Sequence, residues 1–199
     1  MMLVELTTIA PASLPVEAFR EHLRLGSGFA ADDLQGSLLE QQLRAAIASI
    51  EGRTGKILIE RDFSWTIFGW RDARRQPLPL APVRRIGGVY VSDGNGTEQA
   101  IPESAWRLEP DFQRPMLLPK SSSLPVIPAQ GSARVVMTAG FGLTWDALPA
   151  DLAQAVLILG AHFYEFRHEA KVEGLSIPYG VTALIERYRT VRTFMGNRS

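Results

Sequence analysis

The order of signals along the chain predicts an α+β fold: an antiparallel bundle of about four helices carrying an inserted small antiparallel β domain. Three observations predict it. Apolar residues recur at helical spacing near both ends of the chain. Between them the pattern changes to short alternating runs. Nine prolines (77, 79, 82, 102, 110, 115, 119, 125 and 128) punctuate that middle region. So many prolines suit edges and loops, because each removes a ladder donor from a sheet. The chain's 199 residues suit one domain, or one domain with a sizeable insertion. The expected division is a helical unit of residues 1–55 and 143–199, with residues 56–142 as the β-rich insert.

Each element has its own warrant. Ser13-Leu14-Pro15-Val16-Glu17 reads as a helix start, with Ser13 as cap, Pro15 in the first turn and Glu17 at the positive end. Val16, Phe19 and Leu23 fit one helical face, and Gly26 ends it. A second helix follows Asp32-Asp33 and reaches about Arg53. Its Leu39, Leu43, Ala46 and Ile50 give one buried stripe, widened by Leu38 and Ile47, and Gly52 and Gly55 bracket its end. Phe63, Trp65 and Ile67 alternate with Ser64, Thr66 and Phe68, as in a strand. Val89-Tyr90-Val91 runs into Asp93-Gly94-Asn95-Gly96, a strong turn signal. Residues 99–101, 106–108, 116–118 and 134–138 are further short strands. Residues 119–131 read as an exposed loop. Helix returns at Pro149-Ala150-Asp151. From Leu152 to Phe166 it is apolar on most sides, the mark of a central core helix. A last helix starts near Gly180, with Val181, Leu184, Ile185, Tyr188 and Val191 as its apolar face. Thr193 to Ser199 read as a loose tail.

Composition excludes several functions. The chain has no cysteine, which removes disulfides, thiol catalysis and thiolate metal sites. No apolar run approaches a membrane span, and no secretory signal is expected at the N-terminus. Lysine and arginine number 21, as do aspartate and glutamate. A groove built to hold phosphate backbones tightly normally shows a basic excess, so only transient contact with DNA is expected. The charge is uneven, however. Residues 1–60 hold eight acidic and five basic groups, whereas residues 186–199 hold Arg187, Arg189, Arg192 and Arg198 against Glu186 alone. An acidic front and a basic tail suit assembly with copies or with a partner.

Catalytic patterns are absent. His162 and Glu165 share a helix face, but His168 is turned away from His162 and the zinc-type i, i+4 pair is missing. Gly26-Ser27-Gly28 lacks the strand and helix that flank a nucleophile elbow. Gly87-Gly88 and Gly94-Asn95-Gly96 lack the residues that would make them phosphate loops. No enzyme, metal or cofactor is expected. Trp65, Trp70, Trp106 and Trp145 read first as core anchors. Their alternative is the platform of a carbohydrate- or surface-binding module. The C-terminal arginines fit either a solvated face or an interface, and Phe194 and Met195 favour the interface, since a purely solvated tail has little reason to be apolar.

Several stretches, in order and with similar gaps, match a known family. Pro15 to Arg24 resembles its opening helix, and Ala45-Ala46 with Ile50-Glu51-Gly52-Arg53-Thr54-Gly55 the end of its long second helix. Pro79 to Val83, Val89-Tyr90-Val91 and Asp93-Gly94 resemble the start of its inserted β region, and Val135 to Gly142 its last strand. Leu148-Pro149 with Leu152, Ala155, Leu157 to Leu159, His162 to Glu165 and Arg167 resembles its core helix, and Pro178 to Val181 with Leu184-Ile185 and Tyr188-Arg189 its closing helix. Phe166 and the loop around Leu124-Pro125 depart from the pattern. On these residues the chain resembles the head–tail connector, or adaptor, proteins of long-tailed bacteriophages and gene transfer agents. The resemblance implies a non-catalytic virion neck protein, assembled in the bacterial cytoplasm. It implies a ring, commonly of twelve copies, beneath the portal protein, joined to a stopper or tail-completion protein, through which double-stranded DNA passes. The C-terminal segment, with Arg187, Arg189, Arg192, Phe194, Met195 and Arg198, is then the expected portal-binding site. The β insertion is expected to face outward or toward the next neck component.

Overall fold

A computed structural model gives the fold and describes residues 1–25, 33–167 and 177–189. It is α+β with antiparallel sheets. Eight strands lie among the described residues: β1 (Met2–Glu5), β2 (Arg61–Ile67), β3 (Gln76–Pro77), β4 (Val83–Ser92), β5 (Glu98–Ile101), β6 (Trp106–Glu109), β7 (Met116–Pro119) and β8 (Ser132–Ala139). Four α-helices accompany them: α1 (Val16–His22), α2 (Asp33–Thr54), α3 (Ala150–Glu165) and α4 (Tyr179–Ile185). Two of these have only seven residues, so the long pair α2 and α3 makes most of the helical layer.

The helical core forms as the apolar spacing dictates. Leu39, Leu43, Ala46, Ile47 and Ile50 of α2 are buried against Leu152, Ala155, Val156 and Leu159 of α3. Phe19 of α1 is fully buried in the same cluster and lies over Gly160, where an added Cβ would stand 3.0 Å from its ring. Glycine at 160 is what lets the aromatic ring reach the backbone of α3. Val181 and Ile185 of α4 close the cluster.

The strands form a five-stranded sheet in the order β1-β2-β8-β4-β5 and a three-stranded sheet β3-β7-β6. The two share one apolar cluster that includes Phe63, Trp65, Val89, Val135, Met137, Trp106 and Leu117. In β2 burial alternates from Arg61 to Ile67, as the period of two requires. The register of β4 against β8 shifts between Ile86 and Gly88, so Gly87-Gly88 marks a bulge. The turn after β4 needs Gly94: its φ is +84°, and a Cβ there would meet the Gln130 carbonyl oxygen at 2.5 Å.

Four features differ from expectation. Ser13 does not cap α1, since its Oγ donates to the Leu143 carbonyl at 3.0 Å. Met2–Glu5 is a strand of the main sheet, paired with residues 63–66, although strands are expected only within residues 56–142. Residues 119–131 are pinned rather than wholly exposed. Leu124 is buried and its N–H donates to the Ala73 carbonyl at 2.7 Å, while Trp70 Nε1 donates to the Pro125 carbonyl at 2.6 Å. Finally, β3 is too short to be read as alternation.

The two cores meet at the segment after α2. Thr54 Oγ1 donates to the Ile50 carbonyl at 2.8 Å and accepts from Lys56 N at 3.1 Å, ending the helix. Ile57 N then donates to the Ala81 carbonyl, Phe141 N to the Leu58 carbonyl and Glu60 N to the Gly142 carbonyl. Residues 56–60 are thus laced on both sides, to the strand entering β4 and to the chain leaving β8.

Candidate docking surfaces

An ionic cluster fixes this seam. Arg61 Nη2 bonds Glu51 Oε2 at 2.7 Å, and its Nε faces Glu5 Oε1 at 3.2 Å as an ion pair. The second Glu51 oxygen accepts Leu58 N at 2.8 Å. Burial pushes the Glu51 carboxyl above its ordinary value, and the Arg61 charge pulls it only partway back. Lys56 is almost fully buried, which lowers its pKa against the opposing charge of Asp111. Both groups lie inside the joint between the helical core and the sheets, and Glu51 ties its two sides together through Arg61 and Leu58.

The described end of the chain folds back onto this joint. After α4, a 3-10 turn (Glu186–Tyr188) buries the Tyr188 ring edge-on to Phe141, with centroids 6.3 Å apart. Phe141 stacks in turn on Phe112, which is 70% exposed. Tyr188 Oη donates to Asp151 Oδ1 at 2.8 Å, and Arg187 Nε pairs with Asp151 Oδ2 at 2.8 Å. The Arg187 guanidinium also donates to Tyr188 Oη and lies over its ring at 4.7 Å. Desolvation raises the pKa of Tyr188, while its hydrogen bond to Arg187 works the other way. Gln113 Nε2 donates to the Arg187 carbonyl at 3.2 Å. The segment is therefore held by the N-terminus of α3 and by the Phe112 loop together.

Of the six residues expected at a portal contact, Arg187 is engaged within the chain and Arg189 pairs with Glu186 at 3.1 Å on the surface. Arg192, Phe194, Met195 and Arg198 lie outside the described residues. Sequence reasoning missed Asp151, read only as a helix-start residue, and Phe112, Gln113 and Phe141. An exposed phenylalanine between Pro110 and Pro115 was the available signal for this loop.

The tryptophans do not make a sugar platform. Trp65 and Trp106 are buried in the sheet core, and Trp70 and Trp145 pack against different clusters. Two of the four rings are buried and the other two partly buried against separate clusters, so the four do not form one exposed aromatic surface. The His162 ring lies 4.6 Å from that of Phe166. Among the described residues, no three histidine, aspartate or glutamate side chains group closely enough to hold a metal. No helix among them is long and apolar enough to cross a membrane.

No protein-family model matches the chain, nor does any curated protein. Solved structures do. The chain is similar over its full length to a chain of the neck of an empty GTA particle computed with C6 symmetry, at 46% identity and a TM-score of 0.89, with 100% of both chains covered. It is 47% identical to a chain of the virion of a native gene transfer agent particle, with 98% of this chain and 99% of that one covered and a TM-score of 0.86. A chain of the native GTA neck computed with C12 symmetry is 44% identical, fully covered on both sides, with a TM-score of 0.84. A fold kept over the whole length at this identity, together with the connector motifs in order, shows that the chain belongs to the head–tail connector family of gene transfer agent and phage necks.

Proposed function

We propose that this neck protein forms a ring, of twelve copies, beneath the portal, joins it to the stopper or tail-completion protein, and lines part of the path of double-stranded DNA. The observation that carries this reading is the full-length likeness to neck chains from particles treated with C6 and C12 symmetry. A ring uses a heterologous interface, one face of each copy against a different face of the next. Zero formal net charge suits a conduit, because strong phosphate affinity would hold DNA in passage. The role is structural and non-catalytic, and the chain is made and folded in the bacterial cytoplasm before docking in the particle neck. In this reading residues 1–55 and 143–199 form a helical connector bundle, apart from β1, which joins the main sheet, and residues 56–142 are the β-rich insert, turned outward or toward the next neck component.

The portal contact is assigned to the C-terminal segment: Arg187, Arg189, Arg192, Phe194, Met195 and Arg198. Arg187 contributes by anchoring, since Asp151 and Tyr188 already hold it. Residues from Arg189 onward carry the docking chemistry, in which apolar burial of Phe194 and Met195 is joined by pairing of arginines with acidic portal groups. Co-sedimentation with the portal ring tests this, using the full chain and a chain ending at Arg189, which keeps buried Tyr188 in place. Saturable binding at one copy per portal subunit, lost in the shortened chain, is expected. Full affinity in the shortened chain would remove the tail from the contact, and no binding by the full chain would overturn the portal assignment.

A further inference from the structure

The two edges of the five-stranded sheet are built differently. Strand β5, at one edge, is guarded by charge: Arg134 grips Glu98 through two hydrogen bonds, and Gln99 lies beside it. Strand β1, at the other edge, is as short as β5 but holds no lysine, no proline and no bulge. Its one charge, Glu5, is turned back to Arg61.

Its apolar side chains are open to solvent. Met1 is 80% exposed, Met2 59%, Val4 42% and Leu6 52%. Phe68, 70% exposed, extends this surface two residues beyond Thr66, the partner of Met2. The backbone is open as well. Leu6 N donates inward to the Asp62 carbonyl, so the alternation of an antiparallel pair aims the amides of Leu3 and Glu5 away from β2.

We propose that β1 is a contact between copies of this chain in the ring, its free edge and apolar side chains covered by a different face of the next copy. This rests on the ring reading above. The occupant follows from two observations. Necks containing chains 44–46% identical to this one were computed with C6 and C12 symmetry, which puts equivalent copies side by side around one axis. Permanent contacts between identical chains are also the more apolar class of interface, and this surface is apolar. Pairing of β1 with another β1 would be two-fold and would stop at a dimer, so the next copy must present another surface.

The test uses the full chain in purified neck-bearing particles, with photoreactive benzoylphenylalanine in place of Met2 or Val4. After irradiation, a denaturing gel probed for this chain should show a ladder with steps of one chain mass. A product that stops at two chains, one that joins a different neck protein, or none at all would overturn the proposal. Absence of the unsubstituted chain from particles would overturn the ring reading itself, and this inference with it. Hydrogen exchange on the unsubstituted chain checks the result if the variants fail to assemble. The peptide 1–6 should exchange at least about tenfold more slowly in particles than in the dissociated chain. Equal rates would overturn the contact.

Discussion

Arg61 and Glu51 meet at 2.7 Å with side chains only 4% and 11% exposed, so the joint between α2 and β2 is an ion pair almost closed to water. Removing one member leaves the other charge buried without its partner. Arg61→Ala is expected to cost about 3–5 kcal/mol. Denaturant unfolding of the variant beside the parent chain measures it.

The same carboxyl gives a pH signature. Burial raises the pKa of Glu51 in the folded chain above its ordinary value of 4.5, despite Arg61. The folded state therefore holds this proton more tightly than the unfolded state. That contribution to stability is fully present below the unfolded pKa and is lost as pH rises through the raised folded value. Glu51→Gln should flatten this part of the stability profile above pH 4.5, in a denaturation series compared with the parent.

At Gly140 φ is +142°, and a Cβ would stand 2.4 Å from the Glu60 Cα. Backbone faces backbone there, so neither side can yield as a flexible side chain would. Gly140→Ala is expected to destabilise the chain by on the order of 2 kcal/mol or more. A thermal melt would show it, and Gly52→Ala, in open helix surroundings, is the control that should not fall.

Phe19 over Gly160 is a packing relation of a different kind. Phe19→Ala empties a fully buried site between α1 and α3 and should cost about 3–5 kcal/mol. Gly160→Ala only nudges the ring, so its loss should be smaller. Equal losses in a denaturant titration would mean that α3 cannot shift at this crossing.

Asp151 receives both Tyr188 and Arg187, and so sets where the chain's last described residues leave the core. Asp151→Ala should speed amide exchange in residues 184–189 while α2 keeps its protection. Portal co-sedimentation by the same variant should weaken without vanishing, because the docking groups remain.

The helices and most strands were legible because their burial follows simple periods. Leu39, Leu43, Ala46 and Ile50, chosen by spacing, are all buried, and Phe63, Trp65 and Ile67 point to one side of β2. Strand β1 was not legible, since Met2–Glu5 is exposed on both faces and shows no alternation. The Leu124 anchor was hidden among prolines and serines. The tail's arginines stood out by composition, but the partner of Arg187 lies 36 residues away at Asp151, and no local pattern announces such a pairing.

The position of β8 has a consequence for biosynthesis. It is the middle strand of the five-stranded sheet, between β2 and β4, yet it is the last of the eight to be made. Until residue 139 emerges from the ribosome, β2 and β4 have no strand between them, and Phe63, Trp65 and Val89 lack the wall of Val135 and Met137. Such long-range closure is slow and leaves sticky edges open during synthesis. A nascent chain stalled before Ser132 should therefore recruit holdase chaperones, and one released after α3 should not.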